Sequence, residues 1–144
     1  MTEKNPAEDL FTPPDAGRAR AEREFSALTR IATRHANAAG ARQRQAHPTA
    51  LEPHEAVRLV MALAGGSVTV RPGEPAIDEA DLTAALTLVP HVRADLDALE
   101  AGLLRQARDR GLTWQAIAFG LGLGSAQAAR QRLERLSDRL PPEP

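Results

Sequence analysis

Apolar residues in this chain recur at spacings of three and four over stretches too long for any other regular structure. Leu82, Leu86, Val89, Val92, Leu96, Leu99, Leu103 and Ala107 mark one such stripe. A helix turns once in about 3.6 residues, so this spacing keeps side chains on one face, whereas a strand alternates by two. Ala21, Phe25, Leu28, Ala32, His35 and Ala39 form a second stripe of the same period. Only residues 67–73 read as β-like, and Pro72 limits them to an extended loop or an edge strand. Composition agrees. The chain is 42% hydrophobic but holds three Phe, one Trp and no Tyr. Alanine- and leucine-rich, aromatic-poor chains suit thin helices packed closely, not a β-sandwich. The expected fold class is all-α.

Cap and breaker residues divide the stripes into elements. Asp15 is an N-cap for a helix over residues 15–45, which Gly40 weakens and His47-Pro48 ends. Pro53 suits the first turn of a second helix over residues 53–64, with Ala56, Val57, Val60, Met61 and Ala64 inward and Gly65-Gly66 as its stop. A third helical region starts near Ile77, with Asp78, Glu79 and Asp81 at its positive end. Pro90 kinks it or restarts it, and Gly111 sits where a left-handed C-terminal residue belongs. Residues 1–14 hold three prolines and no period, so they read as a disordered arm. The expected organisation is that arm, a helical N-terminal region with a Gly/Pro loop at 15–73, a three-helix unit at 74–140 and a tail at 141–144.

Several function classes drop out. Without cysteine there is no disulfide framework, thiolate zinc site or cysteine nucleophile. No apolar run approaches the ~20 residues that span a bilayer, and the N-terminus lacks an apolar signal core, so a cytoplasmic protein is expected. His35, His47, His54 and His91 show no ligand spacing on a common element, so no metal and no cofactor is expected. His35 reads as a packing residue of the first stripe. The acids at Asp95, Asp97 and Glu100 read as a solvated helix face. No nucleophile stands with a base and an orienting partner, so no enzyme is expected.

Residues 112–136 carry the functional signal. Thr113 caps a short helix in which Ile117 and Leu121 point inward beside Trp114. Ala118 is small where a second helix must cross. Gly122 supplies a tight turn, and Ser125 caps the next helix. Two helices crossing over a short glycine turn make a helix-turn-helix. Projected at about 100° per residue, Ala126, Ala129, Leu133 and Leu136 form the buried side of the last helix. Gln127, Gln131 and Arg135 point away from it, with Arg130 and Arg132 at its edges. Amides read adenine bidentately, and guanidiniums read guanine or clamp phosphate. Charge is segregated to match. The formal total is -1, but Glu74, Asp78, Glu79, Asp81, Asp95, Asp97 and Glu100 outnumber Arg93 over residues 74–100. Arg105, Arg108, Arg110, Arg130, Arg132, Arg135 and Arg139 outnumber Asp109, Glu134 and Asp138 over residues 101–140. The basic excess falls on the expected reading head, as a nucleic-acid partner requires.

The pattern Gly111-Leu112-Thr113-Trp114, Ile117-Ala118, Leu121-Gly122, Ser125, Arg132 and Arg135-Leu136 resembles the helix-turn-helix of bacterial sigma-factor region 4. It is closer to small actinobacterial helix-turn-helix regulators, which it matches at Trp114, Ile117, Ala118, Leu121, Gly122, Ser125, Gln127, Ala128, Ala129 and Arg132. The resemblance covers about a fifth of the chain and implies DNA binding, with no implication for the target promoter. The turn between Gly122 and Ser125 is one residue longer than in sigma region 4, which bears on where the recognition helix starts.

These residues point to a sequence-selective regulator of transcription that binds double-stranded DNA. Ser125, Gln127, Arg130 and Gln131 are the expected groove contacts, and Arg132, Arg135 and Arg110 the expected phosphate contacts. The first stripe can be core, a homodimer seam or the site of a protein partner. The competing reading is a protein-interaction module, antitoxin-like, that uses the first helix and the acidic segment.

Overall fold

A computed structural model of the chain describes residues 15–36 and 51–141. Every regular element among them is helical, so the fold is all-α. The helices are α1 (Ala16–Ile31), continued by a π-turn at Ala32–Ala36, α2 (Pro53–Ala64), α3 (Glu79–Asp109), α4 (Trp114–Leu121) and α5 (Ala126–Arg139). None of them is long and apolar enough to cross a membrane. The expected arm at 1–14, the continuation of the first helix to Gln45 with Ala39, Gly40, Arg42 and Arg44, the His47-Pro48 break, and residues 142–144 lie outside the described residues.

The chain forms two compact units that divide between Val89 and Pro90. The expected boundary was at 73/74. The difference lies in residues 74–89, whose apolar and acidic side chains pack with α1 and α2. Pro90 lies inside α3, which runs through it as one helix. Proline has no N–H, so it leaves the Leu86 carbonyl without its usual helical partner at this division.

In the first unit, Asp15 caps α1 by accepting from the Arg18 N–H at 3.0 Å. Pro53 occupies the first turn of α2, and the Glu55 carboxylate accepts from the Glu52 N–H. Ala27 and Ile31 of α1, Ala56 and Val60 of α2, and Ala84, Ala85 and Leu88 of α3 make the core. Ala36, Leu59 and Leu63 form a second cluster, which Val68, Val70 and Ile77 of the intervening loop cover. Two expected faces are therefore rotated. Phe25 is 72% exposed, and Met61 is also on the surface, while Leu59 and Leu63 take the inner positions of α2. The cause on α1 is polar. Arg30, Arg34 and His35 must face the acids at the start of α3, and that orientation turns Ala27 and Ile31 inward.

Those acids form a cluster around the buried Asp81. Asp78 and Asp81 cap α3 reciprocally: Asp81 N–H donates to Asp78 at 2.8 Å, and Asp78 N–H donates to Asp81 at 3.1 Å. The Asp81 side chain is fully buried. It accepts from Arg30 Nε at 2.9 Å and Arg34 Nη2 at 3.1 Å, and its Oδ2 lies 3.4 Å from His35 Nε2. His35 Nδ1 lies 3.0 Å from Glu74, which also accepts from the Arg71 N–H. His35 is thus no mere packing residue. It is a buried polar group held between two carboxylates, as burial of such a ring requires.

Burial alone would raise Asp81. The Asp78 N–H, Arg34 and His35 outweigh it and hold the carboxyl lowered to about 2 from an ordinary 3.8. Because the folded-state value is the lower one, the ionised group stabilises the fold fully above the ordinary carboxylate range, and that contribution is lost as pH falls towards 2. We expect Asp81→Asn to melt at lower temperature than the parent at neutral pH. The gap between the two should close on acidification, as read by thermal melts over a pH series; a gap independent of pH would refute this role for Asp81.

Candidate nucleic-acid interface

The second unit is built from the end of α3 with α4 and α5. Two matching turns connect them. At Gly111 (φ 87°) the Leu112 N–H returns to the Ala107 carbonyl at 3.0 Å. At Gly122 (φ 69°) the Leu123 N–H returns to Ala118 at 2.8 Å. Each closes a helix by the bond that a left-handed terminal residue permits. Thr113 accepts from the Ala116 N–H, and Ser125 from the Ala128 N–H, each at 3.1 Å. Stop and start signals thus alternate along the chain where the sequence places them.

The core of this unit is Ala101 and Leu104 of α3, Ile117 and Ala118 of α4, and Ala129 and Leu136 of α5. Leu133, Leu123 and Trp114 pack at its edge. The expected buried side of α5 is therefore the observed one. Ala118, only 3% exposed, is small where α4 and α5 meet.

Ser125, Gln127, Arg130, Gln131 and Arg135 are all exposed, and Arg130 and Arg135 form no ion pair with a carboxylate among the described residues. Arg110 is exposed and donates to the Gln106 side chain one turn back. Arg132 is placed differently. Its Nε and Nη2 both donate to Glu100, the latter at 2.8 Å. Hydrogen bonding to Arg132 holds Glu100 below the ordinary carboxylate range. Arg139 lies 3.7 Å from Asp97. Asp97 and Glu100, expected to be merely solvated, tie α3 to α5. Arg132 is thereby spent on positioning α5 rather than standing free on its outer face.

Trp114 is neither fully buried nor paired with Phe119, which is 89% exposed. Two guanidiniums lie over its ring, Arg108 at 4.9 Å and Arg130 at 5.9 Å from the centroid. Such contacts favour a charged group over an aromatic face, and they orient Arg130 near the start of α5. Trp114 is the sole tryptophan. Its emission therefore reports on the surroundings of this ring, Arg108 and Arg130 included. Glu134 and Asp138 also lie exposed on α5. By helical projection they share the outer face with Gln127 and Gln131, so the face is amide and cationic only in its first two turns. Among the described residues, no group of His, Asp and Glu side chains is arranged to hold a metal ion.

With this geometry in hand, the chain matches no family model, no curated protein and no solved structure.

A Cβ at Gly122 would meet nothing within 4 Å, so only its backbone conformation resists substitution. We expect Gly122→Ala to cost about 1–2 kcal/mol, read as a shift in denaturant midpoint. Gly120→Ala, at a helical position with equal space, should not destabilise.

Proposed function

We propose that the second unit binds double-stranded DNA sequence-selectively and that the protein regulates transcription through it. The observation that carries this reading is the outer face of α5. Gln127, Arg130 and Gln131 stand exposed on its first two turns, at the end of a short helix closed by a glycine turn. In helix-turn-helix proteins the N-terminal residues of the second helix meet base edges in the major groove. Gln127 and Gln131 are four residues apart and lie one above the other, so both amides address successive base pairs. Arg130 beside them supplies a guanine-reading guanidinium. Arg135, one turn further on, falls at the groove wall and takes phosphate. The N–H groups of Ala126 and Gln127 have no acceptor within the helix, and with the Ser125 hydroxyl they form a phosphate seat. Arg110 adds a second cationic flank. The acids Glu134 and Asp138 limit insertion to the first two turns, because deeper entry would set them against phosphate.

The resemblance to small actinobacterial regulators supports the same reading. The competing one, an interaction module built on the acidic segment, is weakened by where the acids go. Glu74, Asp78 and Asp81 bind His35, Arg30 and Arg34 of the same chain, and Asp97 and Glu100 bind Arg139 and Arg132. An acidic surface spent on internal pairs has little left for a partner.

The test is binding of the full chain to duplexes from a random-sequence selection, over a salt series. Gln131→Ala should relax discrimination at one position, losing about 1–3 kcal/mol of preference. Arg135→Ala should weaken every sequence alike and lower the salt slope by about one. Arg132→Ala should leave that slope unchanged and lower thermal stability instead. Trp114 emission should change on binding. Failure to bind any duplex above background at low salt overturns the proposal.

A further inference from the structure

We infer that the exposed leucine face of α3 in the second unit is a self-complementary seam on which a second copy of this chain packs antiparallel. The leucines of the long stripe do not enter the core. Leu96, Leu99 and Leu103 are 62%, 66% and 71% exposed, while Ala101 and Leu104 turn inward. Val92, Leu96, Leu99, Leu103 and Gln106 follow the strict alternation of four and three that marks the seam of a two-stranded coil. A shallow groove opens along the face, lined by Asp95, Ala98, Leu99, Gly102, Leu103 and Gln106.

Those six residues identify the occupant. In a twofold dimer, if one residue meets a second, the second meets the first. A twofold axis opposite the midpoint of Glu100 and Ala101 pairs positions whose numbers sum to a constant. It sets Leu99 on Gly102 of the second copy, Leu103 on Ala98 of the second copy, and Asp95 on Gln106 of the second copy. Within the groove each apolar pair is large against small, so side chains fill hollows instead of colliding, and beyond it the same rule sets Leu96 on the aliphatic stem of Arg105 of the second copy. Each polar pair is an acceptor against a donor. The Gln106 carbonyl oxygen already accepts from Arg110, which leaves its amide N–H groups to donate outward. Asp95 Oδ2 lies 3.3 Å from His91 Nε2, and a carboxylate has lone pairs enough to accept the amide as well. A parallel arrangement would set Asp95 on Asp95 and leucine on leucine. Gly102 makes sense here as well. A Cβ at that position would meet nothing within 4 Å of its own chain, so the fold of one chain has no need of glycine in this helix interior, but close approach of a second helix does.

This inference does not rest on DNA binding, because Gln127, Arg130, Gln131 and Arg135 take no part in the seam. Should both hold, a twofold pair presents two reading helices, as operators with two half-sites demand. It also moves the expected homodimer contact from the first stripe to the third helix.

The experiment is the mass of the full chain by sedimentation equilibrium over a concentration series. The parent should reach twice the chain mass. Leu99→Arg should remain a monomer. Gly102→Leu should also remain a monomer while its circular dichroism keeps or gains helix, because leucine is the better helix former and meets no clash within the chain. Asp95→Lys should weaken the dimer, and adding Gln106→Glu to it should restore the dimer. The chain has no cysteine, so register can be read by oxidation. A mixture of Ala98→Cys and Leu103→Cys chains should cross-link to a mixed dimer well above either chain alone. A parent that stays monomeric at every concentration overturns the inference. So does a dimer that survives Leu99→Arg and Gly102→Leu, or cross-linking of either chain alone as efficient as the mixture.

Discussion

Asp81 is the residue on which the arrangement of the first unit turns. A fully buried carboxylate must be paired and hydrogen-bonded on every side, or it would be cheaper to protonate it. Asp81 meets that demand by capping α3 reciprocally with Asp78 and by drawing Arg30, Arg34 and His35 from α1 and its π-turn. One group therefore fixes where α3 begins and which face of α1 turns inward. The apolar core of Ile31, Val60 and Leu88 fills the space that this polar lock defines.

The second unit uses a different economy. Its helices are thin and its core is small, so short-range signals carry most of the specification. Thr113 and Ser125 start helices, and Gly111 and Gly122 end them, at positions where the backbone bonds leave no freedom. The pair Arg132–Glu100 then fastens the last helix to α3. Arg132 is held by Glu100 with its side chain still partly exposed, whereas Arg130 and Arg135 form no such ion pair among the described residues. Trp114 belongs to this logic too, since it packs at the edge of the core and carries Arg108 and Arg130 over its ring.

The elements were largely legible, and so were the turns on either side of α4, because caps and glycines act on their immediate neighbours. The inner side of α5 was also legible, since Arg130 and Arg132 bound the stripe of Ala126, Ala129, Leu133 and Leu136. The inner sides of α1, α2 and α3 were not. Each of these helices carries two apolar stripes, and periodicity cannot choose between them. On α3 the choice is instructive. The core of the first unit takes Ala84, Ala85 and Leu88 and that of the second takes Ala101 and Leu104, because small side chains let helices approach. Leu82, Leu86, Leu96, Leu99 and Leu103 are left outside. The ion pairs of Arg132 and Asp81 were equally invisible, for they join positions 32 to 51 residues apart.

The sequence by itself determined that the chain is helical, where most helices start and stop, and which side of the last helix is apolar. These are consequences of backbone bonds and side chains within a turn or two of each other, so they are written locally. Only the tertiary structure decided which stripe is buried, which arginines are spent on carboxylates and which remain exposed, and that a row of leucines faces outward. Those outcomes depend on a competition among distant groups for the same buried space and the same few acids, and no spacing along the chain records who wins it.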